Sequence, residues 1–535
     1  MSRPNFFIPI FIAISIIFVS FTSFSQSADI RKSIQKIAGV LQLIDYAYVD
    51  SVDMDKLVED AIIETLHELD PHSSYIPAED LERTEEELVG SFEGIGVTFQ
   101  IFQDTILVIS PIPGGPSEKV GIMAGDKIIK IDGEDAYGKK IDNEYVFKHL
   151  RGEKGTKVDV GIYRAGKKEL IDYTIVRDKI PIHSIDASYI IEPGVGYIKL
   201  NRFSKTSTEE FRESVADLKS KGMKKLILDL RGNSGGYLGI AVELSDEFLP
   251  SGRLIVYTEG LKSPREEFDA TSAGSFEKGD LIVMIDEGSA SASEIVSGAV
   301  QDWDRGLILG RRSFGKGLVQ RPFELLDGSV MRLTTARYYT PTGRSIQRPY
   351  ENGFDDYYKD YVERWDRGEM IHSDSIHFPD SLKFYTPGNR IVYGGGGIMP
   401  DIFIPWDSTW ISDYYINLRR KGILNQFTIQ YVNSHRKEIL KKYPTPEEYR
   451  DKYQITNDIM QQFIDLGKEE GVEYDEKGYE ASEAVLKSQI KAWMARNLWD
   501  VNASYMVFSE TDDALQEALK ILEDGTLFVE LKIRR

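Results

Sequence analysis

The chain has 535 residues, of which 41% are hydrophobic, and a length that predicts about two to four domains. Its formal net charge of −21, with no long run of Lys and Arg, argues against nucleic-acid binding and against docking on an anionic membrane by charge. The absence of cysteine excludes disulfides, thiol nucleophiles and thiolate metal sites.

The first 27 residues have the pattern of a secretory signal peptide. One positive charge at Arg3 precedes an apolar run from Phe6 to about Phe21, and the small polar stretch after it contains a Ser23-x-Ser25 cleavage pattern. The alternative is an uncleaved anchor, although the run is short for a membrane span of ~20 residues. Both interpretations predict export to the periplasm or cell envelope, and the second adds membrane attachment.

Residues 28–90 predict a helical N-terminal region. Apolar residues recur there with helical spacing, as at Ile30, Ile34 and Ile37. The pattern leaves open whether this region packs on the rest of the chain or on a second copy of it, so a homo-oligomer is one expectation.

Residues 91–177 predict a small β-rich module. Short β-type runs such as 127–131 and 158–162 are bounded by Gly and Pro clusters, among them the stretch 111–116.

Residues 178–407 alternate between strand and helix patterns. The runs 195–200, 225–230 and 281–285 are typical of buried strands, and a helix is predicted from Ala292 to about Trp303. Alternation of this kind indicates an α/β core.

The remaining residues, 408–535, are charged and helical and indicate no chemistry of their own. We expect them to form a packing or partner-binding extension. The chain as a whole is therefore predicted to be a multidomain α+β protein: a helical N-terminal region, a β-rich module, an α/β core and a helical C-terminal extension.

Ser234 is the first of three candidate nucleophiles. Residues 232–236 fit the G-x-S-x-G nucleophile elbow between a strand and a helix. That motif needs a later histidine, and only His372, His377 and His435 follow, in an acidic loop-like stretch or a charged helix. A Ser–His esterase at Ser234 is one alternative function.

Ser313 and Ser291 are the other two candidates. Ser313 begins an S-x-x-K match, but the S-D-N and K-T-G elements that accompany it in penicillin-recognising enzymes do not occur. Ser291 follows a buried strand and starts a helix, whose unpaired N–H groups and positive dipole end suit a developing oxyanion. By itself this cluster of serines is also consistent with a plain helix cap.

The stretches 289–295, 301–302 and 313–320 together resemble the active site of the C-terminal processing peptidases, also called tail-specific proteases. Matched residue by residue, the resemblance implies Ser291 as the nucleophile, Lys316 as the base and Gln320 as the group that orients the lysine.

The segment 229–236 also matches that family, where its glycines line the oxyanion hole. The resemblance implies Gly235, with Gly236 as the alternative, together with the N–H of Ala292. Further matches at 70–73 and 397–401 extend the resemblance from about residue 30 to about residue 405, and the C-terminal extension lies outside it.

A Ser–Lys pair is chemically consistent with this assignment. A lysine with a pKa of ~10.4 cannot accept a proton near neutral pH, but burial disfavours the ammonium and lowers the pKa. A neutral Lys316 can then take the proton of Ser291 as the serine attacks a carbonyl. This chemistry requires no histidine, metal or cofactor.

The β-rich module resembles the PDZ domain of the same family. Residues 92–96 match the carboxylate-binding loop, which implies that Gly94, Ile95 and Gly96 bind the C-terminus of a protein or peptide. Arg151 matches a position that couples the PDZ domain to the catalytic site.

These observations predict an exported serine endopeptidase that recognises protein C-termini through a PDZ domain and cleaves by a Ser–Lys dyad. A PDZ scaffold on an inactive protease fold is a non-enzymatic alternative. It is disfavoured because Ser291, Lys316 and Gln320 are all present.

Overall fold

A computed structural model describes residues 28–533 apart from residues 103, 139–140, 165 and 273. The predicted signal peptide or anchor lies outside the described residues. The chain divides between Thr65 and Leu66 into two compact units. Within the part of the chain that is described, no helix is both long enough and apolar enough to span a membrane.

Helices dominate the N-terminal region, as predicted. Its elements are α1 (Ala28–Ala47), α2 (Met54–His67), the short strand β1 (Ser74–Ile76) and α3 (Ala78–Val89). The apolar side chains that predicted α1 are largely exposed, with Ile30 and Ile34 at 51% and Ile37 at 64%.

The β-rich module is a five-stranded sheet with an added short strand and two helices. Its elements are β2 (Ser91–Gly94), β3 (Val97–Phe102), β4 (Thr105–Pro111), α4 (Pro116–Val120), β5 (Lys127–Ile131), β6 (Glu134–Asp135), α5 (Asn143–Leu150), β7 (Lys157–Tyr163), β8 (Ile171–Val176) and β9 (Asp178–Pro181). The sheet order is β3-β4-β5-β7-β8, with β6 beside β5, while β2 pairs with β9. Strand β3 is therefore a sheet edge.

The α/β core contains the longest run of elements. They are β10 (Ile185–Glu192), β11 (Val195–Leu200), α6 (Ser207–Ser220), β12 (Lys225–Asp229), α7 (Leu238–Asp246), β13 (Leu254–Gly260), β14 (Ser263–Asp269), β15 (Leu281–Ile285), α8 (Ala292–Asp302), β16 (Leu307–Gly310), β17 (Leu318–Glu324), β18 (Val330–Tyr339), α9 (Phe354–Asp366), β19 (Lys383–Tyr385), β20 (Ile391–Tyr393) and β21 (Ile402–Phe403).

Two sheets organise this core. The central sheet has the order β10-β11-β12-β15-β16-β21 and is parallel except for the β10–β11 pair. The second sheet is antiparallel, with the order β1-β18-β13-β14 and β17 beside β18. The carboxyl ends of β12 and β15 lie side by side, which is the edge where ligands bind in open parallel sheets.

The C-terminal extension consists of helices α10 (Asp413–Arg420), α11 (Ile423–Lys442), α12 (Pro446–Lys452), α13 (Asn457–Glu469), α14 (Glu476–Leu498), α15 (Val501–Phe508), α16 (Asp513–Asp524) and α17 (Thr526–Glu530). Most of them enclose their own apolar cluster. The last three also pack on the central sheet, where Leu515, Leu522 and Phe528 join a cluster with Ile227 and Met284.

The central sheet is therefore covered on both faces. Helices α6, α7 and α8 pack on one face and the end of the C-terminal extension packs on the other. Parallel strands require such cover because both of their faces are apolar. The multidomain α+β fold predicted from the sequence is confirmed.

Candidate active site

Ser291 lies between the end of β15 and the start of α8, at the carboxyl edge of the central sheet. Its backbone adopts φ 54° and ψ −109°, in the left-handed region that few residues other than glycine enter. Such a conformation costs on the order of 1–3 kcal/mol and persists only where the surrounding structure enforces it. The loop therefore holds this serine under strain at the head of a helix.

Glu294 helps to hold Ser291 in this strained conformation. This side chain is completely buried, and its Oε2 accepts the backbone N–H of Ser291 at 2.8 Å and that of Lys316 at 2.9 Å. Its Oε1 accepts the N–H of Gly315 at 2.7 Å and the hydroxyl of Ser313 at 2.5 Å. One carboxylate thus joins the backbone of the candidate nucleophile to that of the candidate base.

Tyr338 makes a second connection between the same two residues. Its hydroxyl lies 2.7 Å from the carbonyl oxygen of Lys316 and 3.1 Å from that of Ser291. Strand β18, which carries this tyrosine, pairs with β17 directly after Lys316.

Ser291, Lys316 and Gln320 all line one cavity of about 370 Å³, so the structure brings the three predicted residues together. Gly235 and Gly236 line it as well. Among the described residues no hydrogen bond joins the side chains of Ser291 and Lys316. The two side chains line the same cavity but are not hydrogen-bonded to each other.

The electrostatics around Lys316 favour a neutral amine. Burial lowers its pKa, and the positive charge of Arg332 on β18 lowers it further, whereas the carboxylates of Glu294 and Asp70 act in the opposite direction. Removing an ammonium from water penalises the charged form, which is the direction that a general base requires.

Gln320 is held by a chain of hydrogen bonds. Its Nε2 donates to Thr334 Oγ1 at 3.2 Å, and that hydroxyl donates to Asp70 Oδ1 at 3.0 Å. Asp70 also accepts the backbone N–H groups of His72 and Ser73, each at 2.8 Å. The predicted 70–73 element therefore positions the glutamine across a large sequence separation.

His72 lies close to the base as well. Burial is the main cause that lowers the pKa of His72 to about 3, and its Nε2 lies 2.9 Å from the hydroxyl of Tyr357. This imidazole is neutral at physiological pH and adds no competing charge beside Lys316.

The backbone N–H groups near Ser291 differ in whether they already have a hydrogen-bond acceptor. The N–H of Gly235 donates to Asn233 Oδ1 at 2.9 Å, whereas the N–H groups of Gly236 and Ala292 have no acceptor among the described residues. A Cβ atom at Gly235 would lie 2.9 Å from the Cβ of Ser291. Gly235 thus permits the close approach of the two loops, and the N–H of Gly236 is left free to donate.

The other two candidate serines lack what a nucleophile needs. Ser313 is completely buried, and its hydroxyl donates to Glu294 and accepts the N–H of Ile398 at 2.6 Å. Ser234 is exposed at the cavity, but no histidine is among the described residues that line it. Nor does the described part of the chain contain a group of three His, Asp or Glu side chains placed to hold a metal ion.

A second cavity, of about 350 Å³, lies in the β-rich module between edge strand β3 and helix α5. Its wall is mostly apolar, with Phe99 from the strand and Phe147 from the helix. The N–H groups of Ile95 and Gly96 at its end have no acceptor among the described residues. A free sheet edge beside a helix is the arrangement that accepts a peptide as an added strand.

Arg151 borders this groove at the end of α5. Its guanidinium lies 4.2 Å from the ring centroid of Phe147 and 4.8 Å from that of Phe92. It also forms an ion pair with Glu86 on α3. The same helix contributes Glu85 to the wall of the cavity that contains Ser291.

Four segments of the chain match described families. Residues 194–354 match Peptidase family S41, residues 94–175 match the PDZ domain, and residues 19–80 match the N-terminal domain of the activating protease CtpB. Residues 414–500 match a family of unknown function, DUF8443.

Similar whole proteins include processing proteases. The chain is 40% identical over 321 residues to the carboxy-terminal-processing protease of Bartonella bacilliformis, covering 59% of this chain and 73% of that one. It is 35% identical over 314 residues to the carboxy-terminal processing protease CtpA of Bacillus subtilis, covering 58% and 66%.

Two solved structures are also similar. The photosystem II D1 C-terminal processing protease has 26% identity and a TM-score of 0.35, covering 69% of this chain and 92% of that one. The PDZ domain of a carboxy-terminal protease from Vibrio cholerae, in complex with a peptide, has 35% identity and a TM-score of 0.16, covering 17% and 97%. On the identity and coverage shared with the Bartonella enzyme, this chain belongs to the carboxy-terminal processing proteases, serine peptidases of family S41 that carry a PDZ domain.

Proposed function

We propose that the chain is an exported endopeptidase in which Ser291 attacks the peptide bond and Lys316 acts as general base. The observation that carries this proposal is the buried carboxylate of Glu294, which binds the backbone N–H groups of both residues beside one cavity. A single rigid group that orients nucleophile and base together is typical of a catalytic unit.

The proposed reaction begins with a neutral Lys316. The amine accepts the proton of Ser291 Oγ as that oxygen attacks the carbonyl carbon, and a negative charge develops on the carbonyl oxygen. The lysine ammonium then protonates the leaving amine, and water hydrolyses the acyl-enzyme by the same route. Catalytic hydrogen bonds are often long before substrate binds, so the unengaged side chains are compatible with this role.

The unpaired N–H groups of Gly236 and Ala292 are the proposed oxyanion donors. Gly235 is proposed to act differently: because it has no side chain, its loop can approach Ser291 closely. Gln320 is proposed to orient the lysine, and its own orientation comes from Thr334 and Asp70.

We infer that the PDZ groove captures the C-terminus of a substrate protein or peptide. The free N–H groups at Ile95 and Gly96 suit a carboxylate, and the apolar wall beside β3 suits an extended tail. The peptide held by the PDZ domain of the Vibrio protease is an analogous complex in a relative.

The contact between Arg151 and Glu86 supports a role in coupling capture to cleavage. Arg151 borders the PDZ groove, while Glu86 belongs to the helix that contributes Glu85 and Leu88 to the catalytic cavity. A ligand that moves Arg151 would therefore act on α3 directly.

The domain limits and the cellular location are proposals drawn from the sequence. They assign residues 1–27 to a signal peptide or anchor, 28–90 to the helical region, 91–177 to the PDZ domain, 178–407 to the peptidase core and 408–535 to the extension. Export to the periplasm or cell envelope follows from the first of these assignments.

The dyad is tested with Ser291→Ala, Lys316→Ala and the double variant. We expect all three to lose similar activity, because residues that act as one unit give non-additive losses. Ser234→Ala is the matched control and should retain activity. A fluorophosphonate that labels Ser234, together with an active Lys316→Ala variant, would favour the Ser–His esterase, and no labelling at all would favour an inactive scaffold.

A further inference from the structure

Arg231 connects the loop that carries Gly236, one of the two proposed oxyanion donors, to the C-terminal extension. The loop runs from the end of β12 to the start of α7 and includes Gly235 and Gly236. Nη1 and Nη2 of Arg231 lie 3.0 and 2.6 Å from the two carboxylate oxygens of Asp512, which is 281 residues away in the sequence. Such a bidentate pair is both strong and geometrically specific.

Asp512 adds a second carboxylate to the charges around Arg231. Asp229, at the end of β12, is only 1% exposed and lies 2.7 Å from Arg231 Nη2 and 3.2 Å from Lys199 Nζ. It also accepts the hydroxyl of Tyr197 at 2.8 Å. The core therefore provides one carboxylate for two cations, the buried Lys199 and the partly exposed Arg231, and Asp512 provides the second.

Asp512 is itself held rigidly. It is the N-cap of α16, where its Oδ1 accepts the N–H of Leu515 at 3.1 Å. Leu515 and Leu522 of that helix pack on the apolar face of the central sheet. The carboxylate is thus fixed relative to the strands that carry the active site.

The segment after Arg231 is tied to the nucleophile loop. The N–H of Gly232 donates to Asp286 Oδ1 at 2.8 Å, and the same oxygen accepts the N–H of Gly288 at 3.0 Å. The carbonyl of Asn233 accepts the N–H of Ala290 at 3.0 Å. A displacement that begins at Arg231 would therefore strain the hydrogen bonds that join the donor loop to the nucleophile loop.

We propose that Asp512 of the C-terminal extension is a positioning residue of the peptidase, which acts through Arg231 to hold the loop whose Gly236 N–H stabilises the oxyanion. The inference rests on the proposed Ser291 chemistry and goes beyond it, because it assigns a catalytic purpose to an extension whose sequence indicates no chemistry. The extension then completes the active site.

The test is Asp512→Asn in the full chain. Asparagine is as good an N-cap as aspartate, so the helix is preserved while the charge is removed. We expect kcat to fall about tenfold or more, since oxyanion donors act in the transition state, while KM changes little. The affinity for a peptide boronate, which forms a tetrahedral adduct on the serine, should fall in parallel with kcat.

Two variants complete the design. Asp512→Glu keeps the negative charge and should restore part of both kcat and boronate affinity. Asp513→Asn removes the adjacent exposed carboxylate and should leave both unchanged.

The outcomes separate the possible failures. A folded Asp512→Asn variant with wild-type kcat and boronate affinity would overturn the inference. A variant that is unfolded at the assay temperature, judged by circular dichroism, would also overturn it, because the ion pair would then be a folding determinant. An active Ser291→Ala variant would instead refute the proposed function itself.

Discussion

The backbone N–H of Lys316 lies 2.9 Å from Oε2 of Glu294, a buried carboxylate 22 residues earlier in the chain. The same oxygen accepts the N–H of Ser291, and the other oxygen accepts the N–H of Gly315. The placement of the base relative to the nucleophile therefore depends on one acidic side chain that need not take part in the chemistry.

Replacing Glu294 by Gln should disrupt this arrangement. In either orientation, the amide NH₂ of the glutamine would face hydrogen-bond donors that now bond a carboxylate oxygen. Those buried donors would lose their acceptor, at a cost of about 1–3 kcal/mol of unfolding free energy. We expect peptidase activity to fall more than about tenfold, because a displaced Lys316 or Ser291 would raise the activation barrier, for which 1.4 kcal/mol corresponds to a factor of about ten. Denaturant unfolding and peptide cleavage measure the two effects. Glu213→Gln, on the exposed face of α6, is the control. If Glu294→Gln has the same stability and activity as this control, Glu294 does not position Ser291 and Lys316.

The rate should depend on pH through Lys316. Because burial lowers the pKa of Lys316, the neutral and active amine becomes populated below ~10.4, and kcat/KM should rise with pH through one ionisation below that value. Lys316→Arg should be inactive, since a guanidinium stays protonated. An arginine variant with substantial activity would rule out the proton transfer.

The same shift predicts a pH-dependent stability. The unfolded chain keeps a proton on Lys316 up to ~10.4, whereas the folded chain releases it at lower pH, so the unfolded state binds more protons between these two pKa values. The unfolding free energy should therefore rise with pH across that window. Lys316→Met should lack this rise and be more stable than the wild type at neutral pH. Urea unfolding of both proteins at several pH values measures the difference. If the unfolding free energies of the two proteins change with pH in parallel, Lys316 is not the source of the rise.

Arg332 should adjust the pKa of the base. It lines the catalytic cavity on β18, and its positive charge lowers the pKa of Lys316. Arg332→Gln should therefore move the acid limb of the pH–rate profile to higher pH, while Arg332→Lys should leave it in place. Arg321→Gln, at an exposed position on the neighbouring strand β17, controls for a general change in charge. If the acid limb of the Arg332→Gln profile stays at the same pH, the charge of Arg332 does not affect the pKa of Lys316.

Capture of a free C-terminus can be tested with two peptides that differ only in ending in a carboxylate or an amide. The carboxylate peptide should be cut faster, because the N–H groups of Ile95 and Gly96 can hold a carboxylate. Equal rates for the two peptides would argue against recognition by the PDZ domain.

The Arg151–Glu86 pair should carry that preference to the catalytic cavity. Arg151→Ala and Glu86→Ala should each reduce the preference for the carboxylate peptide, and the double variant should add little to either. Glu82→Ala, at an exposed position of α3, is the matched control. Additive losses would indicate that the two residues act separately.

Local features of this chain could be predicted well from the sequence. The strands at 127–131, 195–200 and 281–285 have the predicted limits, because short apolar runs between turn residues allow few other structures. The role of Glu294 also has a signal in the sequence. A glutamate three residues after Ser291 fits the pattern of a capping box, in which its side chain accepts the N–H of the serine.

Residue types and their local spacing establish the chemical groups and their backbone, namely Ser291 at a helix start and Lys316 in a glycine-rich turn. The tertiary structure alone decided which distant groups control them: Thr334 contacts Asp70 across 264 residues, and Arg231 contacts Asp512 across 281. Periodicity and turn chemistry act over a few residues, so they specify elements and motifs. Contacts between elements form where apolar faces are covered and buried charges are paired at the same time. The spacing of residues along the chain does not specify which elements meet in this way.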